Sequence, residues 1–158
     1  MDDDQDKAFL RRAIALAHAS RAGGHHPFGC VIVAADGTVL AEAESRKERG
    51  GDPTQHSELD AIRSASRKVD KATLNQATLY SSTEPCPMCA TGAYWSGIGR
   101  VVYGYPVERL LADTGNHPEN PTITIPCREL FSRGLRDIEV VGPLLEDEAA
   151  ATHAGFWG

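Results

Sequence analysis

Three side chains able to hold a soft divalent metal stand at ligand spacing in this 158-residue chain. His56 comes first, and Cys86 and Cys89 follow thirty residues later, three apart. Imidazole and thiolate are zinc ligands; a structural zinc is normally closed by a fourth protein ligand, whereas a catalytic one leaves that position to water or substrate. Three ligands therefore point to chemistry rather than scaffolding. Glu58 lies two residues after His56. A carboxylate there need not bind the metal, yet stays within reach of a water in the open position and can shuttle its protons.

The arrangement His56-Ser57-Glu58 followed by Pro85-Cys86-Pro87-Met88-Cys89 resembles the signature of the zinc deaminases of nucleobases. The resemblance is to the cytidine deaminase superfamily, in the branch of guanine deaminases, fungal cytosine deaminases and tRNA adenosine deaminases. It spans roughly residues 7 to 145. Pro27-Phe28-Gly29, the run from Asp52 to Glu58, the run from Glu84 to Cys89, and Gly92-Ala93-Tyr94-Trp95 carry it in that order. A lone Cys-x-x-Cys would also fit redox or structural zinc sites.

The resemblance implies one zinc per chain on His56, Cys86 and Cys89, with Glu58 as the catalytic proton carrier. It implies Phe28 and Trp95 beside the base pocket, Ser57 in the substrate-binding set, and the Glu84 carbonyl guiding ammonia away. Phe156 and Trp157 are expected to form an aromatic lid over the chain's own site or a neighbour's, in a homodimer that exchanges C-terminal segments. Two positions depart from the family pattern. Ser45 stands where guanine and cytosine deaminases carry an asparagine, eleven residues before the zinc histidine, and His117 stands where guanine deaminases carry an aspartate. A hydroxyl makes fewer hydrogen bonds than a carboxamide, so selectivity is expected to be altered or relaxed.

The expected reaction is hydrolytic deamination of a free aminated base: guanine, cytosine or a close analogue such as isocytosine or an azapurine. One alternative is a tRNA adenosine deaminase. Another is a non-catalytic zinc module, its fourth ligand supplied by His25, His26 or His117. Net charge is −6, and the basic residues are scattered singly or in pairs. Polynucleotide binding draws much of its affinity from basic patches on phosphates, so a small molecule is the expected partner and nucleic acid is not.

The composition, 41% hydrophobic and 24% charged, fits one globular domain over residues 1–158. Residues 1–6 read as an acidic tail, with no basic leader and no apolar run of membrane-spanning length, so a cytoplasmic location and no membrane contact are expected. Cys30 and Cys127 read as small buried residues.

Apolar spacing predicts a helix from Lys7 to Arg21 capped by Asp6, then strands over 28–34 and 38–44 joined by an Asp36-Gly37 turn. A helix opening at Thr54 or Gln55 holds His56 and Glu58 in its first turn. A strand over 77–82 leads to a helix bearing both cysteines and ending near Ser96. A strand over 100–105, a helix over 107–113, a breaker-rich loop over 114–121, a further element over 122–125, a helix over 127–133, a strand over 138–141 and a last helix over 144–153 complete the chain. The fold class is α/β, a three-layer α/β/α arrangement with a mixed five-stranded, cytidine deaminase-like sheet.

Overall fold

The computed structural model describes residues 1–45 and 51–158, so part of the polar loop expected between Ser45 and Gln55 lies outside the described residues. Helix α1 (Asp3–Ala22) leads into strands β1 (Gly29–Val33) and β2 (Val39–Glu44). Helices α2 (Ser57–Lys68) and α3 (Lys71–Asn75) precede β3 (Thr78–Thr83). Then come α4 (Pro87–Ser96), β4 (Arg100–Tyr105), α5 (Val107–Thr114), α6 (Cys127–Ser132), β5 (Glu139–Val141) and α7 (Glu146–Ala151).

The strands form one mixed sheet in the order β2-β1-β3-β4-β5. Strand β1 runs antiparallel to both β2 and β3, while β3, β4 and β5 run parallel. Alternate residues feed opposite faces, as the two-residue strand period requires. Cys30, Ile32, Leu79 and Val101 pack under α2, α4 and α6, through Ala61, Ile62, Ala93 and Phe131. Val31, Val33, Tyr80 and Val102 face α1, α5 and α7, through Leu10, Ile14, Leu110 and Ala149. The three-layer α/β/α expectation is met, and Cys30 and Cys127 are fully buried in the first of these cores.

Residues 1–6 are not a tail. Asp2, not Asp6, caps α1, accepting a bond from the Gln5 N–H in a reciprocal capping box. Asp6 is buried and bound by both terminal nitrogens of Arg100 at 2.7 Å and by the Tyr80 hydroxyl at 2.8 Å. Arg100 also donates to Glu139 at 3.0 Å. The first acidic residues thus tie α1 to β3, β4 and β5. Residues 122–125 form no regular element, the last helix is shorter than expected, and α3, capped by Asp70, was not anticipated.

Candidate active site

The four residues of the expected zinc site sit where two helices begin at one edge of the sheet. His56 is the N-cap of α2, in extended backbone just before the first turn, and Glu58 is the second helical residue. Cys86 is the N-cap of α4, Pro87 its first residue and Cys89 its third. Proline suits that first position, since its missing N–H had no helical partner. The two helices pack closely because residue 92 is glycine: a Cβ there would come within 2.5 Å of Leu59 Cδ2 on α2.

His56 Nδ1 lies 3.6 Å from Cys86 Sγ and 3.4 Å from Cys89 Sγ. Tetrahedral zinc with its usual bond lengths to nitrogen and sulfur separates such donors by about 3.6 Å, so these three residues fit the ion. Among the described residues no other histidine, cysteine or carboxylate completes a metal-binding group with them. His25, His26 and His117, named above as fourth ligands for a closed zinc module, are not in that group. A hydrogen bond donated by the Cys89 thiol, with His56 beside it, pulls the Cys86 thiol down to about 4, favouring a thiolate ready for metal.

Glu58 is 4% exposed. Ser81, on the adjacent strand β3, donates to one of its oxygens at 2.7 Å, and Ser57 donates to the other at 3.3 Å. Burial pushes the Glu58 carboxyl above its usual range, which favours a group able to hold a proton. Ser81 was not singled out by its sequence. Its role arises from β3 lying beneath α2, a proximity across 23 residues that no local pattern signals.

These groups open on a cavity of about 260 Å³. Of the residues singled out in the sequence, Phe28, Ser45, Ser57, His56, Glu58, Glu84 and Cys86 line it. His26, Thr83, Met88, Leu110 and the segment from Glu119 to Ile123 also line it, and sequence patterns gave no sign of that. The Glu84 carboxylate does unexpected work. Its two oxygens accept from the Val107 N–H at 3.2 Å and the Cys127 N–H at 3.1 Å, the first residues of α5 and α6. One buried side chain therefore holds both ends of the segment that supplies the cavity's outer wall.

Four expected substrate contacts fall elsewhere. Trp95 is 77% exposed and does not line the cavity. It lies seven residues after Met88, which does line the cavity, on the same face of α4 but two turns, about 10 Å, further along the axis. His117 also lies off the cavity, accepting from the Glu119 N–H at 3.1 Å, and Glu119 and Asn120 take the wall in its place. Phe156 and Trp157 fold onto their own chain and do not line the cavity. The Trp157 ring is 5.0 Å from His26 and 6.3 Å from Phe28, and Phe156 is 5.6 Å from His26. They back the aromatic wall because His153 and Arg21 offer them partners there.

Residues 3–105 match the family model described as the cytidine and deoxycytidylate deaminase zinc-binding region. A probable cytosine deaminase of Schizosaccharomyces pombe is 41% identical over 154 residues, covering 98% of this chain and 93% of the relative. A tRNA-specific adenosine deaminase of Bacillus subtilis is 34% identical over 153 residues, covering 97% and 89%. The solved guanine deaminase from Nitrosomonas europaea superposes with a TM-score of 0.75 at 26% identity, covering 92% of this chain and 80% of that one. The site geometry and these similarities converge: the chain belongs to the zinc-binding cytidine and deoxycytidylate deaminase family and is a hydrolase of carbon–nitrogen bonds.

Proposed function

We propose that the protein deaminates a free aminated nucleobase, guanine, cytosine or a close analogue, with one zinc on His56, Cys86 and Cys89. The observation that carries this reading is the buried Glu58 carboxylate, which shares a small cavity with the three-residue metal group. At about 260 Å³ the cavity falls below the roughly 300–1,000 Å³ typical of drug-sized ligands, which suits a single base. The similarity to a cytosine deaminase and a guanine deaminase supports the same substrate class. The net charge of −6 disfavours a folded RNA.

Zinc held there supplies Lewis-acid activation of a water molecule. Glu58 takes a proton from the attacking water and delivers it to the ring nitrogen beside the amino-bearing carbon. Glu58 then takes the proton of the hydroxyl newly added to that carbon and hands it to the amino group, so that base and water yield the keto base and ammonia. Ser81 and Ser57 hold the two carboxylate oxygens in place during both transfers. The aromatic edge of Phe28 and the apolar wall of Val107 and Leu110 sandwich the base, and the Glu84 carbonyl receives departing ammonia.

Ammonia release from a panel of guanine, cytosine, isocytosine, 8-azaguanine, adenine, the matching nucleosides and a tRNA anticodon stem-loop tests the reading. Release from free bases, abolished in Glu58→Gln, is the expected result. Release from the stem-loop alone would replace it with the tRNA adenosine activity.

A further inference from the structure

A hydrogen-bond chain runs from the C-terminus to the cavity wall. The Trp157 Nε1–H donates to His153 Nδ1 at 2.9 Å. An indole nitrogen can only donate, so Nδ1 is the bare nitrogen of that ring. Burial, with Arg21 nearby, pushes His153 down to about 3, so the ring is neutral and carries its single proton on Nε2. That proton is directed at Thr83 Oγ1, 3.1 Å away. Thr83 is 3% exposed and lines the cavity. Its hydroxyl accepts from His153, and no acceptor among the described residues takes its own proton.

A threonine hydroxyl can present itself to a ligand as donor or acceptor. Here the choice is made at a distance. With the opposite tautomer, Thr83 would have to give its proton to Nε2 and could offer a substrate only lone pairs. Trp157 does not line the cavity, yet it sets the polarity of a group that does.

We propose that Trp157 and His153 act as positioning residues that hold the Thr83 hydroxyl as a hydrogen-bond donor to the substrate. Thr83 thereby selects bases that present an acceptor, a ring nitrogen or a carbonyl oxygen, at that wall. The inference rests on the nucleobase reading above and adds a residue pattern and a polarity to it. Guanine and cytosine both carry such acceptors, whereas a base with only amino or C–H groups on that edge is rejected because the donor is left unpaired.

The test combines a measurement on the ring with kinetics on the best base of the panel. Nitrogen-15 NMR of the zinc-loaded protein is expected to show His153 as the Nε2–H tautomer in the wild type, and Nδ1–H to gain population in Trp157→Phe. Thr83→Val is expected to raise KM about three- to tenfold, the range for one lost neutral hydrogen bond, with kcat within about twofold. Thr83→Ser restores the wild-type KM. Trp157→Phe raises KM comparably, and the double variant Thr83→Val/Trp157→Phe is no worse than Thr83→Val alone, because both changes remove one interaction. A wild-type Nδ1–H tautomer, or an unchanged KM in Trp157→Phe beside an affected Thr83→Val, overturns the proposal alone. Silence of the wild type on every base overturns the nucleobase reading and this proposal with it.

Discussion

The floor of the cavity and its outer wall are built in different ways. On the floor, His56, Glu58, Cys86 and Cys89 occupy the first positions of two helices that rest on the sheet, and Ser81 reaches Glu58 from a central strand. The outer wall is irregular backbone, the segment from Glu119 to Ile123, pinned at both ends through Glu84. Reacting groups need placement within fractions of an ångström, and helix starts on a packed sheet provide it. Substrate choice can vary on a loop without disturbing that placement.

The largest expected effect separates the two. Glu58→Gln keeps the shape of the floor and removes its proton carrier, so turnover should fall about 10²- to 10⁴-fold while zinc content, read by metal analysis, stays at one per chain. If the variant kept near-wild-type turnover, the floor would not carry the chemistry. Cys89→Ser should instead lose both metal and activity, since an alkoxide-forming hydroxyl is a poor substitute for a zinc thiolate.

The division explains what the sequence made legible. The floor could be read because its residues are contiguous: His56 and Glu58 share one turn, Cys86 and Cys89 another, and each turn carries its own start signal. The strands and helices were legible one by one, from apolar periods and turn signals within single elements, and the mixed three-layer sheet from the family resemblance, whereas the order β2-β1-β3-β4-β5 is set by pairings between distant strands. The wall was not legible. Ser81, Thr83 and His26 reach the site through pairings between distant segments, and His117 missed it because one residue's position along an irregular loop cannot be set by pattern. The packing of the aromatic tail on its own chain was not legible, because His153, its buried partner, bears no local mark of that role.

The N-terminus was misread for a related reason. An acidic run resembles a solvated tail until Arg100, 94 residues away, is seen to meet Asp6. Asp6→Asn should cost about 3 kcal/mol of stability, the low end for breaking a buried pair, because Arg100 keeps Glu139 as a partner. Burial alone would raise the Asp6 carboxyl, but the bonds from Arg100 and Tyr80 outweigh it and hold it below the usual range. A depressed carboxylate contributes stability above its unfolded pKa of about 4, and that contribution is lost as pH falls through the lower folded value. Denaturant midpoints measured from pH 6 down to pH 3 should therefore converge between wild type and Asp6→Asn. A constant gap would mean that Asp6 acts through shape alone.

Glu84→Gln tests the joint between floor and wall. The carboxamide has one oxygen and one NH₂ group where two backbone N–H groups need acceptors, so either Val107 or Cys127 loses its partner. A buried N–H left unpaired costs about 1–3 kcal/mol. Because the freed helix start bounds the substrate wall and not the metal group, KM should rise while kcat falls less. Equal losses in kcat at unchanged KM would show instead that Glu84 serves the floor, through its place between Thr83 and Cys86 in the ligand-bearing turn.

Trp95 should show the smallest effect, and it probes the comparison from outside. It is the most exposed aromatic on the helix that carries both cysteines, and it does not line the cavity of its own chain. Trp95→Ser should shift stability by no more than about 0.5 kcal/mol, as for surface changes generally, and should leave KM and kcat for the preferred base unaltered at any protein concentration. A rise in KM, with kcat and folding preserved, would place Trp95 at a substrate site after all. Since Trp95 does not line the cavity of its own chain, that site would belong to a second copy of the chain, and the outer wall would then be completed by a neighbour.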